Sequence, residues 1–259
     1  VGQITTIIQD HVQWFVGASE EQSLFDAPIS FFLRLSFPGI YTDSGSSDAD
    51  NWQVDGSFGH ASGSWGFQLD GSLGQFDDDA DTYGYGGHLY WQSGSARLGG
   101  VITGSNVDAG SGLEIDEFVY GLEGSVELSP NVVIGGSGTL GNVELFGLDA
   151  DTWNLDANVA FYGTPNFRIG GTAGIGNLEA TTDTDTTTLG LDAEYLFSSI
   201  PISLTAGYLH FETDGSSLDT DTLTIGARWN FGGGSLRDRD NATPFNVRTP
   251  LYGRVLDIH

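Results

Sequence analysis

Thr224-Ile225-Gly226-Ala227-Arg228-Trp229-Asn230-Phe231 alternates without a break. Successive side chains of a strand point to opposite faces, so Ile225, Ala227, Trp229 and Phe231 share one side and Thr224, Gly226, Arg228 and Asn230 the other. The apolar side ends in two aromatics, and Gly232-Gly233-Gly234 follows at once. Read backwards to Ile29, the same period of two recurs: Leu189, Leu191, Ala193, Tyr195 and Phe197; Trp153, Leu155, Ala157, Val159 and Phe161; Phe118, Tyr120 and Leu122; Trp65, Phe67 and Leu69; Phe31, Leu33, Leu35 and Phe37. The connections also alternate. Short Ser/Gly/Pro/Asn turns (Ser93-Gly94-Ser95, Ser129-Pro130-Asn131) exchange places with longer Asp-rich loops (Thr42 to Asp50, Asp108 to Glu117, a loop near Asp149, Asp214 to Asp221). About twelve strands of roughly 9–11 residues account for the spacing, and an even number puts both termini on one side.

The order polar, any, Gly, any, any, aromatic, any, aromatic, carried by Thr224, Gly226, Trp229 and Phe231, resembles the closing-strand signal of Gram-negative outer-membrane β-barrels, a porin-like family. The resemblance implies an all-β fold: a transmembrane antiparallel up-and-down β-barrel. It also implies that the barrel-assembly machinery reads those four residues, and that outer-membrane lipid and lipopolysaccharide surround the chain. In the family the aromatic usually ends the chain; here the sequence runs on to His259. Three segments result: 1–28, with Ile4, Ile7, Ile8, His11, Val12 and Phe15 at helical spacing, a periplasmic cap, a plug or a contact; 29–231, the barrel; and 232–259, a C-terminal periplasmic tail.

Glycine is abundant at 39 residues, and 35 Asp and Glu face 8 basic residues, all arginine, for a net charge of −27. So acidic a chain repels nucleic acid and attracts cations or basic partners. With no cysteine, neither a disulfide framework nor a thiolate metal site is available. No apolar run reaches the length of a spanning helix, so a membrane reading leaves only a closed barrel, in which all backbone groups pair internally. Val1 is not a start methionine, as expected of a mature terminus or a fragment.

The same alternation serves a soluble sandwich with its greasy face inward. Three features favour lipid: the closing-strand signal, the aromatics gathered near strand ends, and more apolar strand than one sandwich holds. The polar face then lines a lumen. Its candidate pore-lining residues are Asp55, Asp70, His88, Arg97, Glu123, Glu127, Asp156, Arg168, Asp192, Glu194 and Arg228. Carboxylates outnumber arginines there, which sets a cation preference. Small residues on two strands (Gly135, Ser137, Thr139; Gly170, Thr172, Gly174) leave room for water or an inserted segment. Asp77, Asp79 and Asp81 are a Ca²⁺ candidate because that ion takes several oxygens, set against a plain solvated loop.

These residues point to a porin-like barrel that passively admits small, preferentially cationic solutes, with no cofactor and no catalysis. The alternative is a plugged structural barrel that anchors a larger envelope assembly through its termini. A translocator similar to the autotransporter β-domain fits less well because of the tail. Half of the arginines lie in that tail, which is expected to dock on a second copy of the chain or an envelope partner through Arg–carboxylate contacts.

Overall fold

The computed structural model describes residues 32–43, 48–76, 80–108, 114–145, 147–180, 183–214, 219–231 and 234–246, with side chains from 52 onward apart from 76, 145 and 148. The helix expected within 1–28, the first residues of the expected opening strand, and Asp77 and Asp79 lie outside the described residues.

The strands run β1 (Phe32–Asp43), β2 (Asp48–Ser62), β3 (Trp65–Phe76), β4 (Ala80–Ser93), β5 (Ala96–Asp108), β6 (Glu114–Ser129), β7 (Val132–Leu145), β8 (Leu148–Thr164), β9 (Phe167–Glu179), β10 (Asp183–Leu196), β11 (Ile202–Thr213) and β12 (Asp219–Asn230). A short helix α1 (Leu236–Ala242) follows. Each strand pairs antiparallel with its neighbours in chain order, an up-and-down all-β sheet, and β1 also pairs with β12 from Arg34↔Asn230 to Asp43↔Asp221. At one end the hairpins are tight. Gly63 and Gly94 take φ of 61° and 58° there, a left-handed conformation that costs glycine nothing.

The strands are longer than expected, 12 to 17 residues. The extra length lies at the long-loop end, in stretches the sequence reading assigned to loops. Asp149 sits inside β8 and pairs with Glu144, while Asp219 and Asp221 belong to β12. Aspartate is a poor strand former, but a ladder already running extends past the lipid wherever the backbone finds a partner.

The two faces separate cleanly. Trp65, Leu69, Leu89, Leu98, Ile102, Leu122, Leu155, Leu191 and Ile225 are all more than half exposed. Trp65, Trp91, Phe161, Tyr195 and Trp229 stand near the short-turn ends of their strands, and Trp52, Tyr83, Phe118, Trp153 and Tyr208 toward the other ends. Such a surface is an apolar band between two aromatic girdles, the exterior a bilayer selects. The opposite face buries polar groups: Gln68, His88, Glu123, Asn154, Thr188, Glu194 and Asn230. It also buries Val101, Val119, Leu209 and Phe211, apolar side chains that the alternation sends inward.

Candidate functional site

The inner face carries a continuous chain of hydrogen bonds. The Gln68 side-chain amide on β3 donates from Nε2 to both carboxylate oxygens of Asp70 at 2.9 and 3.0 Å. Asp70 Oδ2 lies 2.9 Å from His88 Nε2 on β4, and His88 Nδ1 lies 2.9 Å from Glu123 on β6. All three charged side chains are at most 8 % exposed. A ring nitrogen facing a carboxylate must share a proton with it. Both nitrogens do so here, so the three groups together hold two protons. His88 and Glu123 are separated by β5, where Gly99 pairs with Glu123. A Cβ on Gly99 would stand 2.8 Å from the Cβ of Tyr90, so glycine keeps this part of the wall low.

Across the lumen two further ion pairs form, and one of them, Arg168–Asp192, is more open. Arg168 on β9 meets Asp192 on β10, with side chains 24 % and 39 % exposed. Arg228 on β12 meets Glu194 on β10, which also accepts from Ser203 Oγ. A lumen space of about 170 Å³ is lined by Asp55, Asp70, His88, Arg97, Glu123, Asp156, Arg168, Asp192 and Arg228, with Gly135, Ser137, Gly170 and Thr172 among the small residues.

The C-terminal segment enters this lumen. Gly234, at φ 80°, turns the chain after β12, and Ser235 caps α1. The capping box is complete: Ser235 Oγ accepts from the Asp238 N–H, and the Asp238 carboxylate accepts from the Ser235 N–H at 2.8 Å. These bonds, backbone first, hold the Asp238 carboxyl below its usual range, with Arg237 and Arg239 adding to them. The helix starts at the β8–β9 turn, where the Arg237 N–H donates to Pro165 O and the Leu236 N–H to Asn166 Oδ1. Arg237 stacks over the Tyr162 ring at 4.6 Å and pairs with Glu127 at 2.9 Å. Tyr162 in turn donates to Asp240 at 2.7 Å, and Arg97 donates to both Glu127 and Asn241. Beyond the helix, Phe245 reaches β3 and β4. Its N–H donates to Gln68 Oε1 at 3.2 Å, its carbonyl accepts from Gln68 Nε2 at 2.9 Å, and its ring stacks on His88 and meets Tyr90 edge-on.

Of the sequence-derived lining residues, Asp55, Asp70, His88, Arg97, Glu123, Asp156, Arg168, Asp192 and Arg228 border the lumen space, whereas Glu127 and Glu194 are on the inner face but outside that lining, taken up by arginines. The tail residues Arg237, Asp240, Asn241 and Phe245 line the lumen and were not foreseen there. The tail's arginines are expected to meet carboxylates of a second copy or an envelope partner, and Arg248 and Arg254 lie outside the described residues. Arg237 finds its carboxylate, Glu127, in its own barrel. The small residues partly make room for neighbours. A Cβ on Gly170 would fall 2.1 Å from Asp192 Oδ1 and one on Gly135 2.7 Å from Asn158 Oδ1. Thr224 and Gly226 face inward on β12; Trp229 faces out, its ring stacked on Phe231 at 5.8 Å. Asp81 pairs with Gln75 and Asp108 in the ladder, and among the described residues no group of three or more His, Asp or Glu is placed to hold a metal.

No family model and no curated protein matches the chain. Solved structures do. The NanC porin superposes with a TM-score of 0.57 at 9 % identity, covering 75 % of this chain and 98 % of its own. The KdgM porin, solved in complex with disordered oligogalacturonate, gives 0.53 at 8 % identity, covering 76 % and 99 %. An anion-selective porin from Comamonas acidovorans gives 0.48 at 9 % identity, covering 78 % and 99 %. With NanC and KdgM the chain shares the fold of the outer-membrane porin barrels.

Proposed function

We propose that the chain works as a closed, twelve-stranded outer-membrane channel of the porin type, passing small polar solutes along its axis. The observation that carries this reading is the inversion of the two faces: an apolar, girdled exterior around an interior of carboxylates, arginines and threonines that borders open space. Lipid fits the first surface and water the second. A preference for cations rests on the lumen's excess of carboxylates over arginines and on a net charge of −27. That preference is modest, because Glu127, Asp192 and Glu194 each face an arginine. The segment Thr224–Phe231 serves the barrel-assembly machinery, and lipopolysaccharide packs the exterior at the long-loop end.

Single-channel recording in planar bilayers tests this. The expected result is a small open step whose reversal potential in a KCl gradient lies toward potassium, with Asp55→Asn plus Asp156→Asn moving it toward zero. Silence of every form of the chain refutes the channel. A second reading, a structural barrel of the envelope, is favoured by one observation, the C-terminal segment lodged in the mouth. It expects that silence.

A further inference from the structure

The deep end of the C-terminal segment is held by a built seat. The Gln68 amide bonds both backbone groups of one residue, Phe245, and His88 and Tyr90 take its ring face and edge. Gln68 is fixed in turn by Asp70, so the amide cannot rotate away without losing both partners. Tyr90 is fully buried and lies across Gly66, where a Cβ would stand 2.3 Å from its Cζ. The approach to the seat is equally shaped. A Cβ on Gly59 would stand 2.0 Å from the Ala242 carbonyl oxygen, so the wall is glycine where the segment crosses it. A seat of this kind recognises an aromatic residue by backbone and ring together.

We propose that residues 235–246 are a captive plug, seated through Phe245, that closes the short-turn end of the lumen, and that channel opening is the release of Phe245 from Gln68, His88 and Tyr90. This rests on the channel reading. The plug is built to leave. Seven helical residues do not form a stable helix alone. Nearer the mouth α1 is held by the Arg237–Glu127 pair, the Arg237 stack on Tyr162 and the Tyr162–Asp240 hydrogen bond, with Leu236 buried beside them. One aromatic ring and two backbone hydrogen bonds hold the deep end.

The test has two arms, conductance and thiol labelling. The chain has no cysteine, so Ala242→Cys is a clean reporter at a position only 8 % exposed. With the plug seated, a hydrophilic thiol reagent labels it slowly. Adding Phe245→Ala or Gly59→Ala speeds labelling by about tenfold or more, the effect of losing one to two kcal/mol of seating. Gly59→Ala removes no contact and only crowds the segment. In bilayers, ending the chain after Phe231 and the Gly59→Ala variant both raise open time several-fold over the full chain. Circular dichroism of each variant in detergent first establishes that the strands persist. Equal labelling rates with and without Phe245→Ala overturn the plug. Unequal labelling rates with a truncated barrel as silent as the full chain overturn the channel reading and the gate with it, while the seat stands. Equal conductance of full and truncated chains that are both open overturns the gate alone.

Discussion

Two walls of the same lumen carry the same kinds of charge and use them differently. On β3, β4 and β6, Asp70, His88 and Glu123 are sealed from water and bonded to one another. On β9 and β10, Arg168 and Asp192 are a quarter to two fifths exposed and border the open space. Charges of the first kind hold shape, because a buried ion left alone is expensive. Those of the second kind cost less to separate, since water can replace the partner. Phe245 seats on the sealed wall.

The largest effect expected of this difference comes from His88→Ala, which strands two buried carboxylates and costs about 3–5 kcal/mol in urea unfolding from detergent. His88→Gln retains a donor and costs less. Arg168→Ala, which breaks a partly exposed pair, costs less, about 1 kcal/mol, but shifts the reversal potential further toward cations. Equal unfolding costs for His88→Ala and Arg168→Ala would erase the distinction between the walls. Gly66→Ala sharpens it. The added Cβ collides with a Tyr90 ring that has no free space, costing about 1–3 kcal/mol. Gly170→Ala meets only the movable tip of Asp192 and costs less than Gly66→Ala.

The sequence made one of these levels readable and hid the other. Alternation shows which side chains share a face, and lipid admits so few residue types that the outward set from Trp65 to Ile225 stands out. Pairing inside the lumen depends on register, which no local pattern states. His88 reaches Glu123 over an intervening strand, where Val101 pairs with His88 and Gly99 with Glu123. Val119 and Phe211 occupy inward positions where polarity alone suggested none. The strand ends were misjudged because Asp-rich runs such as Asp219–Asp221 look like loops, while a ladder supported on both sides carries them on. The tail's arginines signalled a carboxylate partner. Of these, Arg237 meets Glu127 within the barrel, which nothing in the local sequence states.

The smallest effect concerns the helix between the two walls. Asp238 accepts from the Ser235 N–H and hydroxyl, which hold its carboxyl below the ordinary value. A depressed carboxyl stabilises the folded form above its unfolded pKa, and that contribution disappears as pH falls through the folded value. From neutral pH down to about 5 the α1 amides therefore keep their protection from hydrogen exchange, corrected for intrinsic rate, and lose it progressively below about 4. Ser235→Ala removes the cap at every pH, at about 1 kcal/mol, and should speed labelling of Ala242→Cys severalfold at neutral pH. Phe245→Ala should speed it more, because the cap acts only on the helix while the ring holds the segment to the sealed wall. A reversed order, with Ser235→Ala the more damaging, would mean that α1 is held at the β8–β9 turn and that Phe245 merely follows it into the lumen.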